Sequence, residues 1–338
     1  MAAELIPGLP ECLLRLPYRA FADDIALECL LRLPYRAFAD ARRVCKRWRQ
    51  EITSPSFCSL RKASGHARLL VQFEFYRDPL IIFGPTMGVW TRMPAVFDWS
   101  AHYRQVAAVG HELVMLGRDA TVDVYNLLTG VRRRGATMPG PRRTNFAFAV
   151  AAEARMVYVA GGENVRSWEP LQSALAYDVA ADAWVWLPDM ARPRAVCRGI
   201  FVNGAFCVAG GQWLHDCTSE TFNVAEGRWT AKQVKLLEET LIDPSTKVAT
   251  VEGRVYTWRE VDACSNIGGV RGWRRLGVPA NLFALYQAPL AAWKGRVAML
   301  AITLQARPTA FSLEEGEWRR VVMPTELTGY VELRSFQL

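Results

Sequence analysis

Histidine and cysteine are the residues that most often carry nucleophilic or metal chemistry, and in this sequence they form no recognisable set. The histidines lie at positions 66, 102, 111 and 215, and the cysteines at 12, 29, 45, 58, 197, 207, 217 and 264. No cysteine pair has CxxC spacing, and no histidine pair has the spacing of metal ligands. His215, Asp216 and Cys217 are adjacent, but sequence neighbours rarely face each other as a catalytic pair. A solvated loop is therefore the better interpretation, and we predict no metal site.

The motifs of the common enzyme classes are also missing. No GxSxG, phosphate-binding loop or dinucleotide fingerprint stands where a strand-to-helix turn would need it. Gly268-Gly269 beside Arg271 is better explained as a turn than as a phosphate cradle. We therefore predict that the chain is not an enzyme and needs no cofactor.

Composition and charge limit the partners and the cellular location that the protein is expected to have. The 338 residues are 51% apolar, enough for a substantial core, and carry a net charge of +8. The densest basic clusters after the N-terminal region, Arg132–Arg134 and Arg142-Arg143, are short and lie beside turn residues, so we predict no nucleic-acid partner. No secretory signal and no apolar run of membrane-spanning length are evident, which favours reduced thiols, a cytoplasmic or nuclear location and no membrane partner.

The first part of the chain has helical periodicity. Asp24 is a suitable N-cap for a helix that Pro34 ends, and a second helix is predicted from Tyr35 to Glu51. The predicted apolar face of that second helix carries Phe38, Ala41, Val44 or Cys45, and Trp48. A third helix follows Pro55, with Phe57 and Leu60 as its apolar anchors. Because three short helices bury little surface, we expect an apolar face to remain for a partner.

From about residue 66 onward, short apolar segments alternate with turn residues, and tryptophans recur at a fixed period. Trp184, Trp229, Trp273 and Trp318 are 45, 44 and 45 residues apart, and Trp90 lies two periods before the first of them. Apolar segments ending in Gly161-Gly162 and Gly210-Gly211 precede strands that contain Tyr177-Asp178, Phe222-Asn223 and, in an earlier unit, Tyr125-Asn126. Four strands per period of about 45 residues is typical of a propeller blade.

The repeat predicts how the blades are built. The glycine pairs would adopt positive φ and let neighbouring blades approach, and the Tyr and Trp rings would fill the space between blades. Counting the strands that end each repeat, most of which carry the tryptophan, gives six blades, with five as the alternative. The first blade lacks a strand that 331–338 could supply, which would close the ring. A β-sandwich with coincidental spacing is the competing fold.

Three segments of the helical part resemble the plant F-box, the helical module that docks on the Skp adaptor of SCF-type ubiquitin ligases. They are Leu9-Pro10, 25–34 (IALECLLRLP) and 44–48 (VCKRW). The resemblance implies adaptor contacts for Leu9, Pro10, Ile25, Leu30, Leu31, Pro34, Val44, Cys45 and Trp48. The alternative is that these residues only pack the helices against one another.

The chain departs from that pattern at one place. Glu11–Asp23 is repeated identically at Glu28–Asp40, which separates Leu9-Pro10 from the helix that the pair normally precedes. The extra copy could form an additional helix, could supply Leu16-Pro17 in place of Leu9-Pro10, or could be an artefact of sequence assembly. Adaptor docking is the property that the insertion affects.

Over its whole length the chain resembles plant F-box/kelch proteins, which implies an F-box at 1–65 and a kelch β-propeller at 66–338. The resemblance implies an SCF substrate receptor that binds the Skp adaptor and, through it, the cullin. Its implied target is phenylalanine ammonia-lyase or a cytokinin response regulator. A kelch interaction module that acts without a ligase, because the F-box is interrupted, is the alternative.

Two loops are predicted to bind the target. Glu163–Gln172 contains Arg166 and Trp168, and Gln212–Ser219 contains Trp213 and His215. Trp and Arg often dominate interface energies when they are central and desolvated. The alternative is that both tryptophans pack on their own blades. Residues 260–272 form a third candidate loop.

Overall fold

The structure is a computed structural model. It describes residues 23–64, 69–73, 81–84, 89–92, 103–117, 119–211, 218–230, 247–251, 254–259, 262–266, 273–276, 282–284, 290–293, 296–303, 308–315, 317–321 and 333–337. The predicted roles of Leu9, Pro10, Trp213 and His215, and the first copy of the duplicated segment up to residue 22, lie outside these residues.

The chain begins with a helical module, as the sequence predicts. Its elements are α1 (Asp23–Arg32), a 3₁₀ turn (Tyr35–Ala37), α2 (Phe38–Val44), α3 (Lys46–Thr53) and α4 (Pro55–Ala63). Pro34 is extended, with φ −67° and ψ 150°, and so separates α1 from the turn.

The single helix predicted from Tyr35 to Glu51 is wrong. The chain breaks at Cys45, which is extended at φ −157° and ψ 165°. Its thiol accepts a hydrogen bond from the backbone N–H of Trp48 at 3.4 Å, so the cysteine caps α3 in the way that a serine does. The break turns Val44 outward, whereas Phe38 and Ala41 are fully buried.

The apolar face of the module is largely covered by the same chain. Phe57 is buried as predicted, whereas Leu60, the other predicted anchor, is 41% exposed. The buried side chains of the helices form one continuous core with side chains of the second β-sheet and the turn after its third strand. The sheet side of this shared core consists of Val106, Leu113, Met115, Tyr125, Leu127 and Leu128. The apolar face expected for a partner is thus filled mainly by the protein itself.

The rest of the described chain is antiparallel β-structure in chain order, in sheets of four strands except the sixth, which has five. Sheet 1 contains β1 (Leu69–Phe73), β2 (Ile81–Gly84) and β3 (Val89–Arg92). Sheet 2 contains β4 (Tyr103–Val109), β5 (Glu112–Gly117), β6 (Val122–Asn126) and β7 (Arg132–Gly135). A two-stranded ribbon pairs β8 (Arg143–Thr144) with β11 (Glu163–Asn164). Sheet 3 contains β9 (Ala147–Ala151), β10 (Met156–Ala160), β12 (Ala174–Asp178) and β13 (Ala183–Leu187).

The remaining sheets follow the same order. Sheet 4 contains β14 (Arg198–Val202), β15 (Ala205–Ala209), β16 (Ser219–Asn223) and β17 (Arg228–Thr230). Sheet 5 contains β18 (Lys247–Val251), β19 (Arg254–Arg259), β20 (Asp262–Asn266) and β21 (Trp273–Leu276). Sheet 6 contains β22 (Leu282–Ala284), β23 (Leu290–Trp293), β24 (Arg296–Thr303), β25 (Pro308–Glu314) and β26 (Glu317–Val321). The last strand, β27 (Leu333–Gln337), joins sheet 1 beside β1, as predicted for the C-terminal segment.

Each of the neighbouring sheets 2 to 6 touches the next through one strand near its start, and sheet 1 through β27. Strand β4 contacts β9, β9 contacts β14, β14 contacts β18, and β18 contacts β23. Strand β27 contacts both β23 and β4. The repeat of about 45 residues therefore corresponds to one four-stranded sheet that stands beside the next.

The Tyr-Asp and Trp positions of the repeat fasten sheet 3 to sheet 2. Tyr177 is fully buried, and its ring centroid lies 5.0 Å from that of Trp184. The indole N–H of Trp184 donates to the carbonyl of Ala136 at 2.8 Å, and the Ala136 N–H donates to the carboxylate of Asp182 at 2.9 Å. Asp182 also pairs with Arg133 at 3.1 Å and accepts a hydrogen bond from the Tyr177 hydroxyl, which lowers the pKa of Asp182. The Tyr177 and Trp184 rings thus lie where sheet 3 meets the end of sheet 2.

The same contact recurs one repeat later. The Trp229 indole donates to the carbonyl of Pro188 at 2.6 Å, and the ring lies 5.4 Å from that of Phe222. Asp178 and Asn223 have a different role, because each accepts hydrogen bonds from two backbone N–H groups of the turn that follows it. The side chain of Trp273 lies outside the described residues, although its backbone lies in β21 as predicted.

The glycine pairs adopt the predicted positive φ at Gly161 (64°), Gly162 (87°) and Gly210 (89°), but not at Gly211. A Cβ atom on Gly162 would lie 2.5 Å from the carbonyl oxygen of Thr144 and 2.8 Å from Cβ of Phe146. Only glycine fits where the ribbon and β9 approach this closely.

We predict that Gly162→Ala lowers the free energy of unfolding by about 3 kcal/mol or more, because left-handed strain is added to a clash with backbone. Gly204→Ala is the matched control. Gly204 also has positive φ (74°), but a Cβ there meets nothing within 4 Å, so it should cost only about 1 kcal/mol. Urea denaturation of both variants measures the difference, and equal losses would contradict the close-approach explanation.

Candidate functional site: two ends of the repeated sheets

Successive turns of an antiparallel sheet lie at alternate ends of its strands, which separates the loops into two groups. We call one end the helix end; it is formed by the turns 110–111, 127–131 and 152–155, against which the helical module lies. We call the other the open end; it is formed by the loops 161–173 and 188–197. Of the residues that the structure describes, those predicted to bind the adaptor and those predicted to bind a target therefore belong to opposite ends.

Polar contacts reinforce the interface between the helical module and the sheets at the helix end, which we call the joint. The guanidinium of Arg42 donates to the carbonyl of Thr129 at 3.2 Å, and the Tyr35 hydroxyl lies 3.4 Å from Nδ1 of His111. A groove of about 470 Å³ runs along the joint between α3, α4 and the turns of sheets 2 and 3. Its floor includes Cys58 and His111. The joint is thus held by an apolar core with a few hydrogen bonds at its margin.

Arg61 is a buried cation within the shared core. Its Nη1 donates to the carbonyl of Leu31 at 2.7 Å, and its guanidinium lies 4.8 Å from the ring centroid of Tyr35 and 4.9 Å from that of Phe38. Burial lowers the pKa of Arg61. Burial and the charges of Arg61 and Arg155 also lower the pKa of His111 to about 4, so this imidazole is neutral at physiological pH.

The described adaptor residues predicted from the sequence fall into three groups by exposure. Leu30 and Leu31 are 2% and 5% exposed and belong to the shared core. Ile25 and Val44 are 52% and 44% exposed. Pro34, Cys45 and Trp48 are half-buried. Within the described part of the helical module, the large apolar side chains that are exposed and free for a partner are Ile25, Val44 and Leu60, the last of which was not predicted as an adaptor residue.

The loop Glu163–Gln172 at the open end is a hairpin held by backbone hydrogen bonds. The Asn164 N–H donates to the Glu169 carbonyl at 2.9 Å, and the Trp168 N–H donates to the Asn164 carbonyl at 2.8 Å. Trp168 has φ 59° and is 67% exposed, with Arg166 exposed beside it. The alternative that this tryptophan packs on its own blade is therefore wrong. An exposed indole has only two side-chain torsions to order on binding, which suits it to a contact surface.

Two buried arginines support the loops of the open end, and the sequence analysis missed them. Arg143 donates to the carbonyls of Gly161 and Ser173, both at 3.1 Å. Arg194 donates in the same way to the carbonyls of Gly210 and Thr218. Each arginine thus holds the first glycine of a pair from within the same repeat. In the sequence, each buried arginine stands one or two residues after a proline (Pro141 and Pro193) ahead of the first strand of its sheet.

Most arginines of the two basic clusters in the sequence form ion pairs within the protein or are buried in it. Arg132 and Arg134 both pair with the buried carboxylate of Asp123, at 3.2 and 3.6 Å, and Arg133 pairs with Asp182. Arg143 is 2% exposed, and burial lowers its pKa to about 10. Neither cluster presents the continuous basic face that nucleic-acid binding would require.

Within the described residues, no group of three or more His, Cys, Asp or Glu side chains is arranged to hold a metal ion. None of the described helices combines the length and the apolar character of a membrane span.

Comparison with known proteins identifies both parts of the chain. The model of the F-box domain matches residues 13–60, which include α1 to α3 and much of α4. The F-box/kelch-repeat protein At1g80440 of Arabidopsis thaliana is 34% identical over 318 residues, covering 83% of this chain and 83% of the relative. At1g15670 of the same plant is 35% identical over 293 residues, covering 75% and 76%. The F-box/kelch-repeat protein SKIP11 is 28% identical over 173 residues.

A helical module on one end of repeated four-stranded antiparallel sheets is the architecture expected of an F-box fused to kelch repeats. The chain belongs to the F-box/kelch-repeat protein family. Members of this family are adaptor proteins rather than typical enzymes, and the F-box domain implies binding to a Skp-type adaptor in an SCF complex.

We predict that the joint weakens in acid through His111. A folded-state pKa of about 4 lies below the ordinary 6.5, so the neutral form stabilises the fold fully above pH 6.5 and less as the pH falls toward 4. The loss between pH 7.5 and pH 5 should be about 2 kcal/mol. His111→Gln removes this contribution, so unfolding free energies of both proteins at the two pH values measure it. An identical pH dependence in the variant would contradict the assignment.

Proposed function

We propose that the chain is the substrate-recognition subunit of an SCF-type ubiquitin ligase. The F-box would bind the Skp adaptor and, through it, the cullin, and the propeller would hold a target protein for ubiquitination and proteasomal degradation. The proposal rests on one observation: two exposed surfaces lie at opposite ends of the strands. Ile25 and Val44 lie on a helical module packed against the helix end, while Trp168 lies on a hydrogen-bonded loop at the open end.

The chain contributes geometry and affinity rather than catalysis. A target held beside a ubiquitin-conjugating enzyme that carries ubiquitin presents its lysines at a raised effective concentration. We propose a closed six-bladed propeller over residues 66–338, which the contacts of β27 with both β23 and β4 support, and an F-box over 1–65. This arrangement leaves no free edge between the first and last sheets.

The resemblance seen in the sequence supports two candidate targets, phenylalanine ammonia-lyase and cytokinin response regulators. Removal of the first would restrain phenylpropanoid synthesis, and removal of the second would alter the response to cytokinin. Both candidates are compatible with a receptor that acts in the cytoplasm or the nucleus. The exposed Arg166 and Trp168 are the described residues that we assign to target contact, with Trp213 and His215 as the further candidates from the sequence.

The alternative function is a kelch interaction module that acts without a ligase, because the duplicated segment interrupts the F-box. Co-purification with the adaptor separates the two possibilities. The purified adaptor should be captured by the full chain and by a variant that lacks residues 11–22, which restores Pro10-Asp23. Capture by the deletion variant alone would show that the duplication blocks docking, and capture by neither would overturn the receptor proposal.

We predict that Ile25→Asp and Val44→Asp each weaken adaptor binding at least tenfold, because a carboxylate would replace an exposed apolar contact. Titration calorimetry with the purified adaptor measures the effect. Val185→Asp is the matched control, since Val185 is 53% exposed on the outer strand β13 and should leave the affinity unchanged. Wild-type affinity in both F-box variants would exclude this surface.

We predict that Trp168→Ala lowers target affinity by about 2 kcal/mol, roughly thirtyfold, while adaptor binding stays intact. The candidate targets, each purified, are titrated against the receptor bound to its adaptor. Trp186→Ala on β13, another half-exposed tryptophan, serves as the control for general loss of an indole. An unchanged affinity for a target that the wild-type protein binds would remove this loop from the target surface.

A further inference from the structure

One helix of the module carries a thiol and a buried cation one turn apart. Cys58 and Arg61 lie three residues apart on α4, a spacing that places side chains on the same helix face. Arg61 is 2% exposed, whereas Cys58 is half-buried and lines the groove along the joint. The Sγ atom of Cys58 lies 3.7 Å from the point that a Cβ atom on Gly110 would occupy, so the thiol lies against the turn between β4 and β5.

Arg61 lacks an anionic partner within the described part of the chain. Its Nη1 donates to a backbone carbonyl, but its Nε and Nη2 have no hydrogen-bond partner there, and no described carboxylate forms an ion pair with it. A buried charge without a counterion is costly. Burial lowers the pKa of Arg61, and the Tyr35 hydroxyl and the Cys58 thiol oppose that effect, because their ionised forms attract the guanidinium.

Of these two groups, the cysteine ionises more readily. An ordinary thiol has a pKa of about 8.5 and an ordinary phenol one of about 10, so near neutral pH the charge of Arg61 favours a thiolate at Cys58 over a tyrosinate at Tyr35. His111 also lines the groove, but it is neutral at this pH, because burial and nearby arginines lower its pKa to about 4. Arg61 is therefore the cation that stabilises the thiolate, which is the nucleophilic form of cysteine.

The other described cysteines lack this combination of a nearby cation and access to the groove. Burial raises the pKa of Cys197 to about 11 and also raises that of Cys207. The Cys45 thiol accepts the hydrogen bond that caps α3. Cys29 is half-buried on α1 and does not line the groove.

The groove gives a small polar molecule access to Cys58. Its volume of about 470 Å³ lies within the range of small-molecule sites. Its walls carry the hydroxyl groups of Thr53 and Ser59 and charges of both signs on Glu153 and Arg155. These groups suit a small peptide, which carries an amino group as well as carboxylates.

We propose that Cys58 is an activated thiol that undergoes exchange with a low-molecular-weight peptide disulfide of the glutathione type. The Cys58 thiolate attacks one sulfur atom of the disulfide, a new S–S bond forms, and the other half of the disulfide leaves as a thiolate that takes a proton from water. Cys58 is thereby oxidised to a mixed disulfide, and one small thiol is released. None of the described residues assigned to the adaptor or to a target lines this groove, so the inference does not depend on the proposed function.

The test follows the modification of each cysteine of the reduced full chain by oxidised glutathione, with peptide mapping by mass spectrometry. At neutral pH, Cys58 should react about tenfold faster than Cys29, the matched half-buried cysteine of α1. Arg61→Met removes the charge and should slow the reaction of Cys58 about tenfold, and Arg61→Lys, which keeps the charge, should restore most of the rate. His111→Gln should leave the rate unchanged, because the imidazole is neutral.

The pH profile of the wild-type chain tests the same assignment without a substitution. The reaction rate of Cys58 should level off by about pH 7.5, whereas an ordinary thiol continues to ionise through about pH 8.5. Equal rates at Cys58 and Cys29 would overturn the inference. So would an unchanged Cys58 rate in an Arg61→Met chain that circular dichroism shows to be folded. A rate that falls in His111→Gln but not in Arg61→Met would assign the activation to the imidazole and overturn the role of Arg61.

Discussion

The apolar core shared by the F-box helices and the second sheet is the contact on which the rest of this architecture depends. Helices of seven to ten residues are too short to be stable alone, and they bury Phe38, Ile52 and Phe57 only by joining them to Leu113 and Met115 of the sheet. The junction between the two parts is therefore a packed interior, and movement of one part against the other would expose apolar surface to water.

Within the repeats, each blade is completed by its neighbour. The indole N–H of Trp184 and that of Trp229 both donate to a carbonyl at the exit of the preceding blade, and Asp182 links its own tyrosine to that exit. A buried arginine closes the open end of each glycine-pair blade. The indole and Asp182 bonds connect successive sheets, so stability is a property of neighbouring repeats as well as of single sheets.

The repeat was predictable because tryptophan, tyrosine and paired glycines occupy positions that few other residues can fill. The F-box helices and their order were predictable from Pro34, Pro55 and apolar spacing. The break at Cys45 was not, because a cysteine that caps a helix leaves no periodic signal. The burial of Leu30 and Leu31 against another part of the chain was equally hidden, since apolar spacing shows that a face is covered and not what covers it. Arg143 and Arg194 appear in the sequence as surface charge, and only their carbonyl partners reveal them as internal supports.

The position of the helical module at one end of the strands and of Trp168 at the other has a consequence for reach. A five-residue strand spans about 17 Å, and the ladder of backbone hydrogen bonds fixes that length. In a ligase built on this chain, the sheets would therefore keep a constant distance between the adaptor and the bound target protein. Unlike a flexible linker, a sheet of fixed length cannot compensate for a target lysine that lies too near to the ubiquitin-conjugating enzyme or too far from it. The shape of the bound protein would decide which of its lysines is modified.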